Sequence, residues 1–305
     1  MNSTVCLLRR ARLDTTTTID RTSPSLRTLS PQAGREGLQK RAVTVSRCAL
    51  LPLLVFCVAL LSGCGEKAAN RLVVGMELAY PPFESTDEHG NPAGVSVDLA
   101  NALGQFLGRP VEIQNMRFDG LIPSLQTHKI DLIISSMTAT ADRAKVIAFS
   151  DPYLKTGLCL LLARNSTIQS IADADQPGNV LAVKLGTTGQ IFASDHVKKA
   201  QVRVLDKEDA CVLEVVEGKA TAFLYDQIST YQNWQRNLTT TRAILKPFQE
   251  ESWAVGLRQD DTALRDQVNA FLRDFKQRGG FDQLGDRWLK DQKEAFRKLG
   301  YPFYF

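Results

Sequence analysis

From residue 72 onward, short apolar, β-branched runs alternate with longer stretches whose apolar positions recur every three or four residues. Leu72–Met76, Val111–Gln114 and Ile130–Ser135 read as strands, with Ser96–Leu107 and Leu121–His128 as helices between them. A second series repeats the rhythm: Val180–Lys184, Val202–Leu205 and Ala222–Tyr225 as strands, Thr188–Lys199 and Ala210–Glu217 as helices. Strands alternating with helices predict mostly parallel sheets covered by helices, and two such series predict two α/β lobes. The segment Thr262–Leu289 sets Leu264, Val268, Phe271, Leu272 and Phe275 at helical spacing and is broken at Gly279-Gly280. Those positions predict a core-facing stripe.

A different pattern precedes this body. Lys40, Arg41 and Arg47 form a basic segment ahead of the 13 apolar positions Ala49–Leu61, which fall short of the roughly 20 residues of a membrane span. Residues 40–63 therefore read as a signal peptide. The run closes in Leu61-Ser62-Gly63-Cys64, which resembles the lipobox of bacterial lipoproteins, whose cysteine is acylated and becomes the new N-terminus. The resemblance implies lipidation at Cys64, and each buried acyl methylene contributes about 0.8 kcal/mol to membrane attachment. Residues 1–39 are rich in Thr, Arg and Ser without apolar periodicity, and are expected to be a disordered or mis-called extension. Residues 64–70 are expected to be a tether.

Composition narrows the function. The formal charge of +4 is misleading, because nine of 37 Lys/Arg but only three of 33 Asp/Glu precede residue 64. The remainder is slightly acidic and carries no broad footprint for a phosphate backbone, so no nucleic-acid partner is expected. Cys159 and Cys211 are the cysteines of the folded body, either paired or as buried thiols, and no CxxC or zinc spacing is present. His89, His128 and His196 are scattered, and no HExxH, GxSxG or phosphate-loop pattern occurs. Neither a metal nor a cofactor is expected.

The motifs that remain point to ligand capture. Val74-Gly75-Met76-Glu77-Leu78-Ala79-Tyr80-Pro81-Pro82-Phe83-Glu84 runs a strand into a stiff loop at its carboxyl end, where ligands bind in open α/β sheets. It is followed by Gly94-Val95-Ser96-Val97-Asp98-Leu99, by Phe118-Asp119-Gly120-Leu121-Ile122-Pro123-Ser124-Leu125, and by Asp131 to Arg143 with Phe149-Ser150-Asp151-Pro152-Tyr153. Together these resemble the bacterial extracellular solute-binding proteins of family 3, which serve ABC importers of polar amino acids, over nearly all of residues 71–290. Gly280-Phe281-Asp282-Gln283-Leu284-Gly285-Asp286-Arg287-Trp288 is similar to that family's closing helix.

The resemblance implies a site. Arg143 would grip the ligand's α-carboxylate, a task suited to a planar guanidinium with paired donors, with Ser135, Ser136 and Thr138 beside it. Thr187 and Thr188, in a small-residue turn opening a helix, would clamp the same group from the second lobe. Asp226 would receive the α-ammonium, or else cap a helix. Tyr80 and Phe118 would sandwich the ligand's side chain, or else be core. Glu77 stands where many members carry aspartate and suits a cationic head group such as that of arginine, lysine or histidine. Lys184 suits an amide such as glutamine or an acidic group, and the two residues are also able to pair with each other.

The implied architecture is a two-lobed periplasmic-binding-protein fold of type II with a hinge of two crossing strands, near Tyr153–Leu158 and Ser252–Leu257. Lobe 1 is expected to comprise residues 71–155 plus 254–305, and lobe 2 residues 156–253. A monomeric, non-enzymatic lipoprotein in the periplasm or on the outer face of the cell membrane is implied, with an amino-acid ligand and ABC permease subunits as partners. The alternatives are an enzyme of this fold resembling cyclohexadienyl dehydratase, or a ligand-sensing lipoprotein.

Overall fold

The computed structural model describes residues 70–301. The extension, the signal peptide, Cys64 and most of the tether lie outside the described residues. The chain begins with β1 (Leu72–Met76), the hairpin β2 (Ser85–Thr86) and β3 (Pro92–Ala93), α1 (Val95–Leu107) and β4 (Val111–Asn115). Next come α2 (Leu121–Gln126), β5 (Leu132–Ile133), α3 (Ala141–Ala144), β6 (Ala148–Phe149), β7 (Leu154–Ala163) and α4 (Ile171–Ala174). β8 (Val180–Lys184), α5 (Thr188–His196), β9 (Gln201–Leu205), α6 (Glu208–Val216), β10 (Ala222–Asp226) and α7 (Gln227–Arg236) follow. The chain ends with β11 (Thr241–Trp253), β12 (Gly256–Leu257), α8 (Thr262–Gln277), α9 (Gly280–Trp288) and α10 (Lys290–Leu299).

The strands form two five-stranded sheets, one per lobe. The first has the order β4-β1-β5-β12-β6, with β4, β1 and β5 parallel and β12 antiparallel to both its neighbours. The second has the order β11-β7-β10-β8-β9, with β10, β8 and β9 parallel and β7 antiparallel to β10 and β11. β1 is apolar throughout because both its faces are covered. Leu72, Val74 and Met76 join Leu99 and Leu103 of α1 and Phe271 of α8 in one core, while Val73 packs against Leu121, Leu125 and Ile133 on the other side. In the second sheet Leu181 and Val183 pack with Ala193 of α5, and Ala182 packs with Cys211 and Val215 of α6.

The chain passes between the sheets twice, after β6 and after β11. Tyr153 N donates to Trp253 O at 2.9 Å and Leu154 pairs with Trp253 in the register of β7 and β11, so the two passages are fastened side by side. Cys159 and Cys211 are free, buried thiols.

Where element ends differ from the sequence reading, side chains explain it. α5 stops at His196, three residues before the expected Lys199, because the Asp175 carboxylate accepts from the backbone N–H of Lys198, Lys199 and Ala200 and draws them out of helical geometry. α2 ends at Gln126 rather than His128, where Thr127 Oγ1 bonds back to Pro123 O at 2.8 Å and His128 takes a φ of 60°. The break at Gly279-Gly280 is a true helix boundary, with Gly279 at a φ of 71°. α10 was not anticipated; it is polar except for an anchoring face that includes fully buried Phe296.

Candidate ligand-binding site

The carboxyl ends of β1, β5, β8 and β10 converge on one small cavity of about 40 Å³. Its walls include Glu77, Tyr80, Phe118, Ser135, Ser136, Thr138, Arg143, Thr187, Thr188 and Asp226, ten of the eleven residues expected from the sequence. Lys184, the eleventh, lies just behind this wall and reaches Glu77.

Arg143 is held in the four-residue α3, whose first turn is capped by Thr140 Oγ1 accepting from Arg143 N at 3.2 Å. Arg143 is 6% exposed, and its guanidinium donates to Thr138 O at 2.7 Å and, in the other lobe, to Gly186 O at 3.0 Å. It is therefore not the arginine of a surface salt bridge. Burial pulls its pKa down to about 10, which leaves it cationic at neutral pH. Phe118 presents its ring to both cations of the site, 5.5 Å from the Arg143 guanidinium carbon and 5.6 Å from Lys184 Nζ.

Asp226 closes β10 and does cap α7: its Oδ1 accepts from Ile228 N at 3.0 Å and Ser229 N at 3.1 Å. The same oxygen accepts from the Tyr80 hydroxyl at 2.8 Å, a bond from one lobe to the other. Oδ2 takes no hydrogen bond among the described residues, and Asp226 lines the cavity. Burial raises the Asp226 carboxyl to about 6, against the lowering effect of those three donors. Tyr80 proves to be core and cavity wall at once, stacked on Phe83 at 5.4 Å and edge-on to Trp253 at 6.0 Å.

Glu77 and Lys184 pair directly, with side chains 13% and 3% exposed, so neither charge is free as the structure stands. The serines are also committed. Ser136 Oγ donates to Glu84 Oε2 at 3.0 Å, Ser135 Oγ donates to Glu84 Oε1 at 3.4 Å, and Thr138 Oγ1 donates to Glu251 Oε2 at 3.0 Å. Thr187 caps α5 and donates its hydroxyl to Lys184 O at 2.7 Å.

Sequence reasoning did not single out Glu84, Leu158, Tyr225, Glu251 or Trp253, all of which line the cavity. Glu84 is 1% exposed, accepts from Ser96 Oγ at 2.6 Å as well as from Ser135 and Ser136, and is pushed by burial up to about 8. Gly94, with a φ of 130°, makes this placement feasible: any Cβ there would lie 2.3 Å from Phe83 O. Its absence lets Val95 N and Ser96 N donate to the carbonyls of Pro82 and Phe83. Glu251 belongs to β11 and makes no ion pair among the described residues. The signal that marks Glu84 and Tyr225 lies next to residues already chosen, whereas Glu251 carried none.

The chain is similar to known proteins in sequence and in fold. The family model described as bacterial extracellular solute-binding proteins, family 3, matches residues 72–291. ABC transporter arginine-binding protein 1 of Escherichia coli K12 is 27% identical over 231 residues, 74% of this chain and 93% of that protein. Holo ArgBP from T. maritima is 37% identical, with a TM-score of 0.63 over 69% of this chain and 92% of its own. The ancestral amino-acid-binding protein AncCDT-1, described as a precursor of cyclohexadienyl dehydratase, is 34% identical with a TM-score of 0.67, covering 72% and 96%.

Proposed function

Since the chain belongs to the bacterial extracellular solute-binding proteins of family 3, we propose that it captures a polar amino acid as a zwitterion for an ABC importer. The observation that carries this reading is that Arg143, between β5 and β6 of the first sheet, and Asp226, at the end of β10 of the second, line one cavity. An α-carboxylate fits the paired donors of Arg143, flanked by Thr187 and Thr188, and an α-ammonium fits Asp226 Oδ2. Tyr80 and Phe118 would bracket the side chain, and Ser135, Ser136 and Thr138 would hold the carboxylates and carbonyls that shape the pocket.

The two walls are joined to each other through Tyr80–Asp226, Arg143–Gly186 and Glu77–Lys184. On this reading the lobes part to admit an amino acid, and these contacts are exchanged for ligand contacts. Closure then amounts to differential binding, and the closed form reports occupancy to the permease. With Glu84 held protonated by burial, the carboxylates Glu77, Asp226 and Glu251 still outnumber Arg143 and Lys184 at the site, which favours neutral or cationic amino acids over aspartate and glutamate. That agrees with the arginine-binding relatives.

The reading assigns residues 71–155 plus 254–305 to lobe 1 and 156–253 to lobe 2. It also includes cleavage before Cys64, lipidation of that cysteine and a monomer on the periplasmic or outer face of the membrane. A Cys64→Ala chain released from the membrane fraction would support the anchor, and one retained there would remove it. A thermal-shift screen of the chain against the common amino acids tests the binding function, because a ligand that binds only the folded state raises the melting temperature. No response to any of them would reject it.

One observation favours a second reading. Glu84 is a buried carboxyl on the cavity wall whose pKa of about 8 keeps it protonated at neutral pH, the property of a general acid, and AncCDT-1 is related to a dehydratase. Turnover of a cyclic, prephenate-like acid that Glu84→Gln abolishes would establish it.

A further inference from the structure

Lys184 stands between two carboxylates. Side chains alternate along β8, and Ala182 packs with Cys211 and Val215 of α6 while Leu181 and Val183 face the other way. Lys184, two residues beyond Ala182, therefore leaves the sheet on the α6 face. In the β8–β9 register it lies opposite Leu205, and Glu208, three residues past Leu205, opens α6. Glu208 Oε1 accepts from Ser229 Oγ and from Asn233 Nδ2 at 2.8 Å. Its Oε2 is buried without a hydrogen-bond partner among the described residues. Burial pushes this carboxyl up to about 7, and the Lys184 charge opposes that rise. The lysine thus has a vacant acceptor within its own lobe but reaches across the cavity to Glu77 instead.

We infer that Glu208 is the alternate seat of the Lys184 ammonium and thereby determines which ligand head groups the cavity admits. The inference rests on the amino-acid-binding reading. A cationic head group that takes Glu77 must displace Lys184, whose flexible four-carbon stem can carry the ammonium to Glu208 Oε2. Without that second carboxylate the displaced charge would be left buried and unpaired. A side-chain amide makes no such demand: its oxygen accepts from Lys184 and its N–H donates to Glu77, with the pair left in place. Glu208 acts through Lys184, as a positioning residue, and only for cations.

Calorimetric titration of the full chain with arginine and with glutamine at pH 7 tests this. Glu208→Gln should weaken arginine binding about tenfold or more and leave glutamine binding unchanged. Glu208→Asp should restore arginine binding, and in a Lys184→Met background Glu208→Gln should have no further effect. Equal loss for both ligands would signify a merely structural role and overturn the inference. So would no loss for arginine, or a loss that persists without Lys184. If the wild type binds glutamine or another neutral amino acid but no cationic one, the inference falls while the binding function stands. If it binds no amino acid, both fall.

Discussion

On the proposed reading, replacing Arg143 by alanine removes the group that orients the ligand. The residue is 6% exposed, and its guanidinium donates to Thr138 O of its own lobe at 2.7 Å and to Gly186 O of the other at 3.0 Å. On that reading the Gly186 contact would give way to a ligand carboxylate, which alanine would leave buried and unpaired. Truncating one partner of a buried, hydrogen-bonded charge pair costs about 2–5 kcal/mol, which corresponds to a loss of affinity of roughly 30- to 5,000-fold. Arg143→Lys keeps the charge but loses the fork that meets two acceptors at once, so it should fall between wild type and alanine. Isothermal titration with the best ligand from the thermal screen provides the measurement. An Arg143→Ala chain that is folded and binds within about threefold of wild type, less than 1 kcal/mol, would refute the carboxylate role.

Further outcomes follow from the other groups of the site. Asp226 must be ionised to receive an ammonium, so affinity should hold above its pKa of about 6 and fall as pH drops through that value. Tyr80→Phe deletes a donor that lowers this pKa, so the midpoint of the affinity–pH curve should move upward; an unmoved midpoint would contradict the bond's role. Glu84 has a folded pKa of about 8, above its ordinary value of 4.5. The fold therefore binds a proton more tightly than the unfolded chain, and this contribution to stability declines as pH rises from about 4.5 to 8. Melting temperatures of Glu84→Gln should accordingly gain on wild type towards pH 8; parallel curves would show that the carboxyl is not held protonated. Lys184→Ala leaves the Glu77 carboxylate buried without its partner and should destabilise the chain by about 3–5 kcal/mol in denaturant titration, partly recovered by adding Glu77→Ala.

The extent to which the site was legible follows from how each residue is placed. Arg143, Ser135, Ser136 and Thr138 lie within one contiguous run from β5 into α3, so the family resemblance of that single run points to all four together. Asp226 and Thr187 both sit where a strand meets a helix, and their capping bonds are local. Glu84 was passed over although it ends the quoted Tyr80–Glu84 loop, because its burial depends on Ser136, 52 residues away, and Ser96. Glu251 and Trp253 reach the cavity only because β11 runs antiparallel to β7 and crosses back to the first sheet. A bulge between Ile244 and Gln249 adjusts that pairing, and nothing in local periodicity announces it. The Glu77–Lys184 pair joins residues 107 positions apart; the sequence offered the partners but left the choice between mutual pairing and ligand pairing open.

A crystal structure of the chain with its bound amino acid tests the central claim most directly. The account predicts the ligand in the cavity between the two sheets, its α-carboxylate on the Arg143 guanidinium in place of Gly186 O and its α-ammonium on Asp226 Oδ2. A ligand bound elsewhere, or one bound here with its carboxylate away from Arg143, would contradict it.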